Sequence, residues 1–157
     1  MRGANLSGAF LRQANFEGAL LNYANFSKAI MPEAWMQDVL APNANFSGVE
    51  FSLANLSNAN FANADFTGAT GTANFTESSL VNATLIDADL DGSYFTNADL
   101  RGADFLRAKL TDVDLTGADL TDADLTDADL TDAILTRTIL TNATLKGTKL
   151  PSGWTAP

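Results

Sequence analysis

Carboxylates are the main groups in this chain that could perform chemistry. The 157 residues include 15 Asp and 4 Glu, but no His and no Cys. Paired carboxylates can act as general acid and base, and several converging carboxylate oxygens can bind calcium. Without His and Cys the chain has no thiol nucleophile, no imidazole base and no ordinary zinc site.

The acidic residues are concentrated in one half of the chain. Residues 75–157 hold fourteen acids and six bases, a net charge of −8 out of a total of −10. Eight Asp and no base lie between Thr111 and Asp132. This balance excludes nucleic-acid binding through a basic patch.

A repeat of five residues positions these side chains. Ala-Asn-Leu-Ser-Gly at 4–8 recurs as Ala-Asp-Leu-Thr-Asp at 118–122, 123–127 and 128–132. We call the Leu or Phe of each unit its centre. Centres recur every five residues from Leu6 to Phe66 and from Phe75 to Leu150, with Leu or Phe at 10 of 13 and at 16 of 16.

A period of five fits neither a helix nor an ordinary strand. Five residues turn an α-helix by about 500°, so the centres would form no stripe. Within each unit the pattern is small-inward, polar-outward, large-inward, then two polar residues that suit a corner. Short strands alternating with corners predict a polygonal coil whose turns stack about 4.8 Å apart. Because the carboxylates lie on a convex wall, no pair is singled out for catalysis.

These units resemble the pentapeptide-repeat family, whose unit is written A(D/N)LXX, over nearly the whole chain. The resemblance implies an all-β fold, a right-handed quadrilateral β-helix with four units per coil and about seven to eight coils. It also implies a protein that is not an enzyme, needs no cofactor or metal, and comes from a bacterium such as a cyanobacterium. We expect one domain over 1–157.

Charges spaced 20 residues apart support four units per coil. Asp89, Lys109, Asp129 and Lys149 alternate in sign, as do Asp87, Arg107 and Asp127, which cross-strand pairing would favour.

An irregular segment at 29–43 departs from the repeat. Its centres are Met31, Met36 and Ala41, and apolar residues such as Ile30 and Trp35 stand at outward positions. Pro32 and Pro42 could begin and end a short helix. The segment is expected to be either a structural element, as a distorted coil that stays in the wall or a loop folded back on it, or a protruding partner site formed by Ile30, Met31, Trp35 and Met36.

Two further breaks have structural interpretations. One residue is missing at 68–72, and the glycines there would permit an irregular corner. At 150–157 we expect a C-terminal cap, with Trp154 lying across the last coil. No comparable segment precedes Ala4, so the amino-terminal end is expected to be open, and a homodimer through a coil end is conceivable.

Two functions are consistent with these features. The first is a rigid scaffold, roughly 35 Å long, that binds an unidentified protein. The second is an acidic mimic of DNA that binds a DNA-binding protein such as DNA gyrase, as fluoroquinolone-resistance members of the family are thought to do. Neither involves direct nucleic-acid or membrane binding. The candidate partner surface consists of Asp99, Asp104, Asp112, Asp114, Asp119, Asp122, Asp124, Asp127, Asp129 and Asp132.

The expected location is the cytoplasm, because the repeat begins close to Met1 and no apolar run approaches the length of a membrane span. A signal segment outside this sequence would instead place the protein in a periplasm or thylakoid lumen.

Overall fold

The chain winds into a solenoid without helices. The computed structural model describes residues 1–155, in which there is no helix and the β-structure consists of isolated parallel bridges. No helix in this part of the chain is long and apolar enough to cross a membrane. Each bridge joins outward residues that immediately precede their centres, and we call these the ladder positions.

Four ladders run up the molecule, one for each of four successive units. Most rungs join residues 20 apart. The first ladder runs from Asn5 to Thr144, the second from Phe10 to Lys149, the third from Asn15 to Ile134 and the fourth from Leu20 to Ile139. A four-sided coil of 20 residues, which the family resemblance implies and the charge spacing supports, is therefore the observed arrangement.

Tight turns join the ladders. In the first unit the N–H of Ala9 donates to the carbonyl of Leu6 at 3.1 Å, and the intervening Gly8 has a φ of +65°. Within residues 1–155, twenty non-glycine residues share this positive φ, and Asn and Asp make up twelve of them. This is the conformation that the third position of a type II turn requires, which explains the glycine, Asn and Asp of the repeat.

The centres form one continuous core. Leu120, Leu125 and Leu130 are at most 1% exposed. Phenylalanines of successive coils stack face to face, with centroids 5.0 Å apart for Phe26 and Phe46 and 4.9 Å apart for Phe75 and Phe95. The inward assignment of the centres is thus correct.

Residues 29–43 stay in the wall. Ile30 and Trp35 form regular bridges to Glu50 and Asn55, while Met31 and Met36 are completely buried. The protruding alternative is wrong, because both methionines serve as core centres. The expected helix is also absent, since Pro32 and Pro42 occupy the second position of a turn, where the fixed φ of proline is compatible with the corner.

The missing residue shortens one coil. Around it the rungs join residues 19 apart, as in Asn55–Asn74 and Thr70–Asp89. Gly71 stands where a centre is expected and has a φ of +107°. A Cβ on Gly71 would lie 2.7 Å from the backbone nitrogen of Ser52, so only glycine fits there.

At the carboxyl end, the N–H of Trp154 donates to the carbonyl of Pro151 at 3.1 Å and closes one more turn. Residues 151–154 lie beside residues 133–136. The last four leucine centres retain partial exposure, as Leu6 and Leu11 do at the other end: Leu135, Leu140, Leu145 and Leu150. Capping by Trp154 stays a prediction, and residues 156 and 157 of the expected cap lie outside the described residues.

Candidate functional site

The polar ladder residues have a structural role that the sequence analysis missed. The Oδ1 atom of Asn25 accepts the backbone N–H of Ser27 at 2.9 Å, and Oδ1 of Asp124 accepts that of Thr126 at 2.8 Å. Fourteen of the fifteen Asn and Asp residues at ladder positions within 1–155 make this bond. Asn or Asp at this position therefore satisfies a corner N–H that the turn leaves free. The sequence signal for this role was that Asn or Asp recurs two residues before the corner N–H that it accepts.

Five ladder positions in the first half of the chain carry apolar residues instead, and we call them the apolar ladder set: Phe10, Leu20, Ile30, Trp35 and Leu40. Phe10 is 83% exposed and Trp35 is 53% exposed. Phe10 and Ile30 are adjacent on the second ladder, and Leu20 and Leu40 are adjacent on the fourth.

Two members of this set precede a proline by two residues. Ile30 is followed by Pro32 and Leu40 by Pro42, so the corner has no N–H that an Asn or Asp could satisfy. At these two corners an apolar ladder residue leaves no N–H without its usual acceptor, whereas the corners after Phe10, Leu20 and Trp35 keep that N–H.

The ten aspartates of the candidate partner surface surround the solenoid. Six occupy ladder positions: Asp104 and Asp124 on the first ladder, Asp129 on the second, Asp114 on the third, and Asp99 and Asp119 on the fourth. The other four lie at corners and have a positive φ: Asp112, Asp122, Asp127 and Asp132. The structure therefore distributes these carboxylates over all four sides and gathers them into no cleft.

Basic residues pair with aspartates along two columns of the wall. Arg107 forms a bidentate pair with Asp87 at 2.7 and 2.6 Å. Lys109 lies 3.4 Å from Asp89, and Lys149 lies 2.8 Å from Asp129. The predicted alternation of charge on the second ladder is therefore present, with each lysine paired to the aspartate one coil below.

These contacts favour the ionised carboxylates. The hydrogen bond from Lys149, helped by the Thr131 hydroxyl, lowers the pKa of Asp129 to about 2. Hydrogen bonds from the Thr126 side chain and backbone lower the pKa of Asp124 below its ordinary value. A general acid at neutral pH needs a raised pKa, so these two carboxylates are unsuited to that role.

Two shallow cavities flank the shortened corner. One, of about 230 Å³, is lined by Leu53, Ala54, Asn55, Thr72, Ala73, Asn74 and Tyr94. The other, of about 240 Å³, lies on the far side of Thr72 and is lined by Thr70, Gly71, Asp89, Asp91 and Lys109. No group of three or more Asp or Glu within residues 1–155 could hold a metal ion.

The repeat architecture agrees with the comparisons of this chain with known proteins. The model of the family described as "Pentapeptide repeats" matches in eight copies, over residues 1–38, 42–70, 73–105 and 108–147. The chain belongs to the pentapeptide-repeat family. No curated protein matches it.

A solved structure has a fold similar to that of this chain. The plasmid-mediated fluoroquinolone resistance protein QnrB1, in a trypsin-treated R167E form, is 19% identical, with a TM-score of 0.65, over 97% of this chain and 89% of that one. HetL, involved in heterocyst differentiation regulation in the cyanobacterium Nostoc, is 25% identical, with a TM-score of 0.40, over 99% and 93%. Rfr23 from the cyanobacterium Cyanothece is 24% identical, with a TM-score of 0.38, over 95% and 89%.

Proposed function

We propose that this protein is a non-enzymatic scaffold that binds another protein through the apolar ladder set. The chain forms a rod that we take, from the family resemblance, to be right-handed with about seven to eight coils. Its rigidity follows from the continuous core, because each coil packs its centres against the coils above and below.

The exposed apolar side chains are the observation that carries this proposal. Asn or Asp at a ladder position supplies a hydrogen bond to the corner, and Phe10, Leu20 and Trp35 give up that bond. Phe10 and Trp35 gain little from burial within the chain, since each is more than half exposed. The set occupies the second, third and fourth ladders within two successive coils, and large apolar side chains exposed to solvent are typical of protein contact surfaces.

Replacing this set with the residue that the repeat favours tests the proposal. The variant Phe10→Asn, Leu20→Asn, Trp35→Asn restores the corner acceptor at three positions, so the fold should be retained or stabilised. Proteins cross-linked to the parent in cells of its source should be lost from the variant. A control with Asn58→Ser and Asn63→Ser, at exposed corners outside the apolar ladder set, should retain them. An unchanged set of cross-linked proteins would contradict the proposal.

A second candidate function rests on the ring of aspartates. An acidic rod could imitate the phosphate backbone of DNA and bind a DNA-binding protein such as gyrase. The ten carboxylates occur on all four sides, and four of them project from corners. The similarity to QnrB1 is one of fold, so the fluoroquinolone resistance of that protein comes to this chain only as a hypothesis.

Substitutions that remove charge but keep the shape of the side chain test this alternative. In Asp119→Asn, Asp122→Asn, Asp124→Asn, Asp127→Asn, the ladder residues keep the Oδ1 acceptor, and Asn tolerates the positive φ of the corners. If the parent inhibits supercoiling by gyrase in a salt-dependent way, the variant should lose that inhibition. Absence of inhibition by the parent at low salt would reject the mimic and leave the scaffold.

A further inference from the structure

We propose that the cavity between Leu53 and Tyr94 binds a sugar residue of a neutral oligosaccharide, a function beyond the scaffold role. The cavity exists because one residue is missing from the wall. The corner after Gly71 is shorter by one residue, and Thr72 and Ala73 of that corner line the cavity. The volume of about 230 Å³ is smaller than that of drug-sized sites, which suits a single ring better than a large ligand.

The cavity is electrically neutral on a protein of net charge −10. Its lining combines the ring of Tyr94, the side chain of Leu53 and the amides of Asn55 and Asn74, with no charged residue. Leu53 is 73% exposed and Tyr94 is 53% exposed. A neutral ligand with an apolar face and a polar rim complements such a lining, and a sugar ring has both.

The amide groups retain donors for a ligand. Oδ1 of Asn74 accepts the N–H of Thr76, and Oδ1 of Asn55 accepts both the N–H of Ser57 and a bond from Nδ2 of Asn74 at 3.4 Å. The amide oxygens are therefore engaged, whereas Nδ2 of Asn55 has no acceptor among residues 1–155. The two amides present hydrogen-bond donors, which the hydroxyl oxygens of a sugar can accept.

Two aromatic residues bracket these amides. The third ladder contains four consecutive residues that are joined by three rungs: Trp35, Asn55, Asn74 and Tyr94. Three rungs separate the two rings, roughly 14 Å along the rod. Each ring is 53% exposed, so a linear oligosaccharide lying along the ladder could stack on both while its hydroxyls contact the amides.

A peptide strand is a poorer occupant. The backbone of this wall is already paired, since the N–H of Asn74 donates to Ala54 and the carbonyl of Asn74 accepts from Leu56. Addition of a strand requires free backbone groups at an edge. The charged cavity across Thr72 is no competitor for a neutral ligand, because Lys109 is paired there with Asp89 and Asp91.

Backbone NMR spectra of the full chain, titrated with linear oligosaccharides of glucose, of mannose and of N-acetylglucosamine, test the proposal. At least one of them should shift the amide signals of residues 53–55, 72–74 and 94. Tyr94→Ala should weaken that binding by about tenfold. The variant Asn74→Asp keeps the acceptor for Thr76 but replaces the amide donors with a charge, so it should also weaken binding.

Tyr23→Ala removes another exposed tyrosine, 70% exposed at a distant corner, and should leave the affinity unchanged. Thermal unfolding of each variant shows whether the fold is intact. The proposal is overturned if none of the three oligosaccharides binds, if shifts map elsewhere, or if folded Tyr94→Ala and Asn74→Asp bind as the parent does. Protein cross-linking is a separate readout, so this failure would leave the scaffold role untouched.

Discussion

The hydroxyl of Ser93 accepts the backbone N–H of Ala73 from one coil below, at 3.0 Å. In regular units this N–H donates to the preceding centre, but the shortened corner has removed that partner. Ser93 stands at the small inward position where the repeat usually has Ala, and it is completely buried. A missing residue in one coil is thus offset by a side chain in the next.

Ser93→Ala should destabilise the protein by about 1–3 kcal/mol, because a buried N–H loses its acceptor. The matched control is Ser78→Ala. The Ser78 hydroxyl donates to the carbonyl of Phe75, which keeps the backbone N–H of Ser78 as a partner. Chemical denaturation of both variants measures the difference, and equal losses would contradict the assigned role of Ser93.

Gly71→Ala should lower the free energy of unfolding more than Gly68→Ala does. At Gly71 a Cβ meets the backbone of Ser52, and the φ of +107° lies outside the left-handed helical region. At Gly68 the φ is +63° and no atom lies within 4 Å of the added Cβ. We expect about 1 kcal/mol at Gly68 and a larger loss at Gly71. Comparable unfolding midpoints for the two variants would argue against a locked corner.

The loss of stability on replacing a leucine centre with Ala should depend on its position along the rod. Leu125→Ala in the interior should cost about 2–5 kcal/mol, since the buried site cannot collapse fully. Leu140→Ala, where the centre retains partial exposure, should cost less. Equilibrium unfolding gives both values, and an insensitive Leu125 would be inconsistent with a continuous core.

The pairing of Asp129 with Lys149 should make stability depend on pH. The pKa of Asp129 is lowered from 3.8 to about 2, so the folded state favours its ionised form. Its contribution is complete above the ordinary pKa and is lost as the pH falls from about 4 towards 2. Lys149→Gln should raise the pKa of Asp129, measured by NMR titration of its carboxyl group, while the bond to Thr131 remains. An unchanged titration would show that Lys149 is not the main cause.

The period of five predicted most of the fold because it records which side chains face inward. The positions of Leu125 and of the Asp89–Lys109 rung follow directly from it. Residues 29–43 were ambiguous because Pro32 is compatible with a helix start and with a turn, and only the hydrogen bonds of neighbouring coils decide between them.

The candidate sites were less predictable from sequence. The cavity beside Tyr94 depends on which coil the missing residue falls in and on what lies above and below it. The Ser93–Ala73 bond joins residues 20 apart, as in a regular coil, but Ala73 needs this acceptor only because the shortened corner removes the usual partner of its N–H.

The spacing of the rungs has a mechanical consequence. Pulling the two ends of the chain apart would load the bonds of a terminal coil first, because each coil is held only by its neighbours. Releasing one coil of 20 residues frees at most about 70 Å of extended chain. Under tension the rod should lengthen in nearly equal increments, with one shorter increment when the coil containing Gly71 is released.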